Sequence, residues 1–512
     1  MTSEGPSLPD WLEPLPDAAQ QRALDEWAIG ELRIAGVDLM ERAGTGLAEL
    51  VMQRAPQGPI AIVCGKGNNG GDGFVAARLL RQQGLHVLVL ALAEADEYRS
   101  DARTNLERLP GDPPEPFSPD RLTGAQAIVD AILGTGFSGA PREPAAGTIE
   151  AINGADAGQV IACDVPSGVN ASTGEIEAAA VRADATATFH AGKPGLWIAP
   201  GKAHAGGITV VDIGIPARGP ARPDIGLISP SVLDGIPRRG RESTKFAAGS
   251  VLVCGGSTGL TGAPSMAAES AMRSGAGYVT ALVPRSLNAI FEGRLLEVMT
   301  VPLPDENGSL TTQAVERVSE RLGRADALVL GPGFGRDKEA GEAARQIASN
   351  AGLPLLLDAD GLNAHVGALE LLAKRSAPTV LTPHAGELAR LLDTDSAAVS
   401  ARRLASAREA AQRAQAIVVL KGDDTLVAHP DGRVAVGRGG AAALATAGTG
   451  DVLSGVIGAF LAKGMDPFHA ACAGVFAHAS AGRLAAREIG EEGVIASDVI
   501  ERLPAALGGL GQ

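Results

Sequence analysis

The chain has 512 residues, 45% hydrophobic and 20% charged, with 44 Lys and Arg against 59 Asp and Glu for a formal net charge of -15. This length exceeds one ordinary domain and predicts two, and the composition is that of a globular chain rather than a disordered one. The acidic balance, with no stretch that interleaves Lys and Arg with aromatics, excludes nucleic acid as an expected partner.

The opening, Met1 to Gln20, is acidic and proline-bearing and lacks the basic and apolar regions of a secretory leader. The run Val452 to Ala462 is apolar but well short of the roughly 20 residues that span a bilayer, so no membrane association is expected. The four cysteines, Cys64, Cys163, Cys254 and Cys472, form no CxxC, and three of them end strand-like runs; they read as structural thiols in a reducing, cytoplasmic setting.

In chain order, a strand at Ile60 to Val63 leads through a glycine turn to a helix from Phe74 to Arg81, and further strands are expected at Leu85 to Leu90, Ala127 to Ile132 and Gln159 to Cys163. Such alternation is the βαβ rhythm of parallel sheets covered on both faces. It pauses from Gly214 to Lys245, dense in Pro, Gly and Arg, where a linker is expected at 217–240. It resumes at Ser250 to Cys254, with strands at Tyr278 to Val283, Ala327 to Leu330, Pro354 to Asp358, Thr379 to Thr382 and Ala416 to Leu420. The halves share no repeat, so two unlike α/β domains follow, 1–216 and 241–512.

In the first half four clusters sit just after strands: Gly65-Lys-Gly-Asn-Asn-Gly-Gly-Asp-Gly73, Gly134-Thr-Gly-Phe-Ser-Gly139 behind Asp130, Asp164-Val-Pro-Ser-Gly168, and Ala191-Gly-Lys-Pro194. Open α/β sheets hold ligands at strand carboxyl ends, and clustered glycine amides suit phosphate. Asn69, Asp130 and Ser167 offer hard oxygens to a monovalent or divalent cation. Asp72 also reads as an N-cap for the helix from Phe74. Lys193 reads equally as a phosphate contact or as a solvated turn residue.

With Asp38-Leu-Met-Glu-Arg-Ala-Gly44 ahead of them, these motifs resemble the N-terminal domain of the YjeF family, the NAD(P)H-hydrate epimerases, over roughly residues 20 to 215. The resemblance implies that Asn68, Asn69, Gly70, Gly71 and Asp72 hold the hydrated dinucleotide, together with Gly134, Thr135, Gly136, Phe137, Ser138, Gly139, Ala140 and Asp164. It also implies potassium on Asn69, Asp130 and Ser167. Epimerisation at the hydrated ring carbon needs proton movement, and Asp164 is the expected acid/base; an aspartate before Pro166 and Gly168 also caps a turn.

In the second half Thr446-Ala-Gly-Thr-Gly-Asp451 heads the apolar segment Val452 to Ala462. Amides of such a turn receive developing negative charge while the carboxylate takes a proton from an attacking hydroxyl, so Asp451 is the expected base of a phosphoryl transfer. Lys421-Gly-Asp-Asp-Thr425 follows a strand and suits a nucleotide phosphate, and Gly331-Pro-Gly-Phe-Gly335, Asp358-Ala-Asp-Gly-Leu-Asn363 and Thr382-Pro-His-Ala-Gly-Glu387 follow others. The set resembles the ribokinase-like fold, in its ADP/ATP-dependent NAD(P)H-hydrate dehydratase branch, over roughly residues 240 to 505. The resemblance implies that Ala263, Gly333, His384 and Asp451 contact the hydrated substrate. Lys421, Gly422, Asp423, Asp424, Thr425 and Gly450 would contact the nucleotide. Asp360 and Glu387 read either as groups that position Mg²⁺ through water or as solvated or capping carboxylates. The chain departs from the family at Ala441, where Asn is common, and at Thr244, where His is common.

The expected fold is therefore α/β in two domains, a Rossmann-like three-layer αβα domain and a ribokinase-like αβα domain. The expected activity is epimerisation of R and S hydrates of NADH and NADPH in the first and dehydration of the S form in the second. ADP (or ATP) would be co-substrate, AMP and phosphate products, K⁺ and Mg²⁺ cofactors, and the assembly a homo-oligomer. The alternative is a sugar or vitamin-precursor kinase fused to a non-catalytic nucleotide-binding domain.

Overall fold

The computed structural model describes residues 7–217, 219–242 and 244–508; the first and last few residues of the two expected domains and Arg218 of the expected linker lie outside the described residues. The chain divides into two compact units, one built on Pro14–Gly226 and the other on Leu227–Gln512 together with Pro9–Glu13.

In the first unit seven strands run in the order Glu115–Pro116, Val87–Ala91, Ile60–Cys64, Ala127–Ala131, Gln159–Cys163, Ala185–Phe189, Gly207–Val211, each paired in parallel with its neighbours. Successive strand residues face opposite sides. Ile60, Ile62 and Cys64 therefore pack on one side with Leu39, Ala43 and Leu47 of the helix Gly36–Arg54 and with Phe74 of the helix Asn68–Gln82. Ala61 and Val63 pack on the other with Ile149 and Ile152 of the helix Ala145–Gly154, which makes the sheet the middle of three layers. The winding reverses between Ile60–Cys64 and Ala127–Ala131. A ligand crevice opens beyond the carboxyl ends of such a pair.

Among the described residues the second unit holds an eleven-stranded sheet that also takes in Leu12–Pro14 and Ile225–Ile228 at one edge. Its central strands, from Ile417–Leu420 through Ser250–Cys254 to Met299–Leu303, are parallel, and Leu426–Ala428 and Val434–Val436 extend it antiparallel. Here the winding reverses between Ser250–Cys254 and Ala327–Leu330. The helix Thr449–Ala462 is buried along most of its length, as a helix apolar on all sides must be, and Gly455 lets it meet the helix Gly262–Arg273 so closely that a Cβ there would lie 2.0 Å from the Ala267 carbonyl oxygen.

Three features differ from the sequence expectation. The helix expected from Phe74 begins at Asn68 with Gly67 as its N-cap, so Asp72 lies inside it and is not a cap. The stretch expected as linker carries the strand Ile225–Ile228 and a 3₁₀ turn Pro230–Gly235, with Val232 and Leu233 buried. Pro9–Glu13, for which the sequence reading named no element, joins the second unit: the Ser229 N–H donates to the Trp11 carbonyl at 3.0 Å, and the Trp11 ring stacks on His469 at 4.8 Å. All four cysteines are free and buried, and among the described residues no helix is long and apolar enough to cross a membrane.

Candidate active sites

At the winding reversal of the first unit lies a cavity of about 1240 Å³, lined by Asn68, Asn69, Asp72, residues 134–140, Asp164 and Lys193. Gly70 and Gly71 serve it differently. A Cβ on Gly70 would fall 1.9 Å from the Gly65 carbonyl oxygen and one on Gly71 2.6 Å from the Met40 Sδ, so both let the helix start approach its neighbours rather than line the cavity.

Asp164 ends its strand with a left-handed backbone, φ +66°, a conformation that costs free energy for a residue with a side chain. Its Oδ1 accepts from Lys193 Nζ at 2.8 Å, and its Oδ2 from the Thr135 N–H at 3.0 Å and hydroxyl at 2.5 Å. Lys193 is only 1% exposed and spends its other protons on Thr188 Oγ1 and the Phe189 carbonyl. It is thus a buried ion-pair partner, neither a phosphate contact nor a solvated turn residue. Burial pushes Asp164 up, but Lys193 and Thr135 outweigh it and hold the carboxyl below its usual value. For Asp72, burial and then repulsion from Asp164 and Asp25 raise the carboxyl well above its usual range. The two carboxyls of this cavity are thus pushed in opposite directions, an arrangement that acid and base chemistry can use.

Beneath the loop after Ala131, Asp130 is fully buried and accepts from the Ser167 hydroxyl at 2.6 Å and the Ser167 N–H at 2.7 Å. Burial lifts it to about 6 in spite of those bonds. The Asn69 side chain lies against Gly134, with its buried Nδ2 unpartnered. The orphaned Nδ2 is a donor and calls for an acceptor oxygen on a ligand, while the side-chain oxygens of Asn69, Asp130 and Ser167 are of the kind a hard cation takes.

In the second unit Asp451 stands in the first turn of Thr449–Ala462, behind Gly448 with φ +92°. Lys421 Nζ meets Asp358 Oδ1 at 2.9 Å and Glu387 Oε2 at 3.8 Å, and lies 3.4 Å from where a Cβ of Gly450 would be. Asp358 Oδ2 accepts from the Ser454 hydroxyl at 2.7 Å. Burial first, then the charges of Asp358, Glu387 and Asp360 against the opposing Lys421, bring Asp451 to about 7. A carboxylate near neutrality suits a general base. His384 caps the helix Ala385–Leu392, its Nδ1 accepting from the Gly386 and Glu387 amides, while Glu387 Oε2 accepts the His384 N–H at 2.9 Å. Ala263 and Gly333 are adjacent, a Cβ on Gly333 falling 3.4 Å from that of Ala263. Asp360 is committed to the Gly335 N–H, Arg336 and Asn363 at 3.0 to 3.1 Å.

A cleft of about 570 Å³ beside this centre is lined by Lys421, Gly422, Asp423, Thr425 and Gly450, and also by Ala441, Arg438, His478 and Arg483. Asp424 departs from the expectation that it contacts a nucleotide: its carboxylate is buried in an ion pair with Arg403 at 2.8 Å. Sequence reasoning missed Asp25, Arg403, Arg438 and Arg483, and it missed the pairing of Lys193 with Asp164 and of Lys421 with Asp358. Partners 29 and 63 residues apart leave no local pattern.

Residues 36–195 match the model of the family described as YjeF-related protein N-terminus, and residues 251–505 that of NAD(P)H-hydrate dehydratase. The bifunctional NAD(P)H-hydrate repair enzyme of Moorella thermoacetica is 40% identical over 509 residues, with 96% of each chain covered. That of Salinibacter ruber is 36% identical over 524 residues, covering 96% of this chain and 95% of its own. Among solved structures, the ADP/ATP-dependent NAD(P)H-hydrate dehydratase from Bacillus subtilis, co-crystallised with ATP/Mg²⁺, is similar at 28% identity, over 54% of this chain and 95% of that chain, with a TM-score of 0.47. Matched in both halves and along nearly its full length, the chain belongs to the family of bifunctional NAD(P)H-hydrate repair enzymes.

Proposed function

We propose that this protein repairs NADH and NADPH that have gained water across the ring, interconverting the R and S hydrates in the first unit and dehydrating the S form in the second. The observation that carries the reading is Asp451, held near neutrality at the head of a glycine turn beside Lys421. Asp451 takes the proton of the ring hydroxyl as its oxygen attacks the terminal phosphorus of ADP, and the bond to AMP breaks. Hydroxide leaves poorly and phosphate well, so the phosphorylated ring then loses phosphate, and a proton from the adjacent carbon, to restore the reduced nicotinamide. The turn amides and Lys421 stabilise the charge that moves between phosphates. In the first unit Asp164, whose ionised form Lys193 favours, supplies a base for inversion at the hydrated carbon, and Asp72, pushed by burial towards its neutral form, an acid.

Asn69, Asp130 and Ser167 would hold K⁺, which offsets the phosphate charge of the dinucleotide. Mg²⁺ would be held by nucleotide phosphates and, through water, by Glu387 and Asp360; it neutralises the transferring phosphoryl group. Ala263, Gly333 and His384 would contact the hydrated ring, and residues 421–425, by backbone at Asp424, the nucleotide. ADP is assigned as donor over ATP, the assembly as homo-oligomeric, and the location as cytoplasmic, in keeping with four unpaired buried thiols. The domains are assigned as 1–216 for epimerisation and 241–512 for dehydration.

The test is to incubate the protein with mixed R and S NADH hydrate plus ADP or ATP and follow reduced-nicotinamide absorbance. Both epimers should be consumed. Phosphorylation of a pentose or hydroxymethylpyrimidine, with hydrate untouched, would establish the kinase alternative instead.

A further inference from the structure

The segment Lys421–Thr425 has no helix or strand of its own, so its shape must be imposed from outside. Arg403, at the start of the helix Arg403–Ala414, is 7% exposed and reaches it with one guanidinium. Its Nε donates to Asp424 Oδ2 at 2.8 Å, and its Nη2 to the carbonyls of Leu420 at 3.4 Å and Lys421 at 3.3 Å. One planar group therefore holds the last residue of the strand, the first residue of the loop and the fourth. Gly422 passes over it so closely that a Cβ would lie 2.5 Å from Nη2 and 2.8 Å from Asp424 Oδ1. The carbonyl so anchored belongs to the residue whose ammonium lies between Asp358 and Glu387, so the same clamp sets the backbone from which Lys421 reaches the reacting centre.

We propose that Arg403, through Asp424, is a positioning residue of the dehydratase site: the buried pair holds the Lys421–Thr425 loop in the one shape that receives the nucleotide phosphates. The proposal rests on the assignment of this loop to the nucleotide. A loop fixed in advance loses little conformational freedom when the ligand arrives, so loosening it weakens nucleotide binding more than chemistry. Lysine can match the Asp424 charge but lacks the fork that reaches the carboxylate through one nitrogen and the carbonyls through another.

The full-length protein and its Arg403→Lys, Gly422→Ala and Arg403→Leu/Asp424→Leu variants would be compared by calorimetric titration with ADP and by steady-state kinetics, with epimerisation on the same chain as internal control. The double variant removes both charges and leaves neither buried alone, so the fold survives. Expected is a rise of about 10-fold in the Kd and KM for ADP in each variant, the worth of one charge-assisted hydrogen bond. The KM for hydrate and epimerisation should stay within about 2-fold, and kcat at saturating ADP should fall by less than ADP affinity does. Wild-type ADP affinity in Arg403→Lys and in the double variant overturns the proposal. So does an equal decline in ADP binding, hydrate KM and kcat, which marks a general structural role. A wild-type protein that binds no ADP refutes the loop assignment itself.

Discussion

Replacing Asp451 by Asn should slow dehydration severely and yet make its surroundings more stable, with a pH dependence that follows from the charge removed. Burial and three neighbouring carboxylates lift Asp451 from 3.8 to about 7. Below about pH 4 the group is protonated folded and unfolded, and it costs nothing. Between about 4 and 7 the unfolded chain ionises while the folded one keeps its proton, so the unfolded state binds fewer protons and stability falls as pH rises. Above 7 the cost is complete. At 1.36 kcal/mol per pH unit it reaches roughly 4 kcal/mol, an upper figure for a group not wholly buried. Asparagine carries no such charge, so Asp451→Asn should match wild type at pH 4 and exceed it progressively up to pH 7 and no further. Hydrogen exchange of the helix Thr449–Ala462 in the full chain, measured at pH 4, 6 and 8, reads this locally. In parallel, wild-type dehydration should rise with pH through an inflection near 7, and the variant should lose about 10²- to 10⁴-fold of the rate while epimerisation survives. A variant no more protected at pH 8 than at pH 4 relative to wild type, with a flat wild-type rate profile, refutes the reasoning.

Asp358→Asn removes the largest like charge on Asp451 and frees Lys421, so the inflection should move to lower pH; an unmoved profile contradicts the coupling. Lys193→Met removes the main opposition to burial at Asp164, so its carboxyl should rise and the pH profile of epimerisation move towards higher pH, with dehydration unchanged. A simple loss equal at every pH counts against the assigned base. Exchanging KCl for choline chloride should slow epimerisation alone, and Asp130→Asn should remove that ion dependence; insensitivity of the wild type to the exchange rules out the cation site. Gly333→Ala forces a side chain at φ +60° to within 2.5 Å of the Leu260 carbonyl oxygen and should destabilise the second unit by about 1–3 kcal/mol in exchange or thermal measurements.

Glycine turns and carboxylates placed directly after strands were legible, because strand, turn and ligand-facing residue are contiguous in the chain. Asn69, Asp72 and Asp164 line the crevice that such a topology opens, and Asp451 stands in the first turn of its helix. Side-chain direction was not legible. Asp423 and Asp424 are neighbours in one motif, yet the first lines the cleft and the second is buried against Arg403. Lys193 read equally as a phosphate contact or a solvated turn residue, while its burial follows from the strand Ala185–Phe189 lying beside Gln159–Cys163, which Asp164 follows. The helix Ala18–Gly30 carries Asp25 and Arg22 into the first cavity from outside the motif region, where only tertiary packing could reveal them. The proline and glycine content of 217–240 concealed Ile225, Leu227, Val232 and Leu233, whose burial decides its structure.

The incorporation of Pro9–Glu13 into the second unit has a bearing on synthesis. Trp11 is made 457 residues (468 − 11) ahead of Phe468, against which, with His469, its ring rests. At roughly 5–20 residues per second the ribosome needs on the order of 20 to 90 seconds to cover that interval. Throughout it the segment waits without its aromatic neighbours while the first unit folds behind it. Its brevity, its prolines and the charges of Asp10 and Glu13 keep such a waiting strand from pairing elsewhere. Closure by Trp11 is therefore a late event: the segment finds its place in the sheet only after Phe468 and His469 have been made.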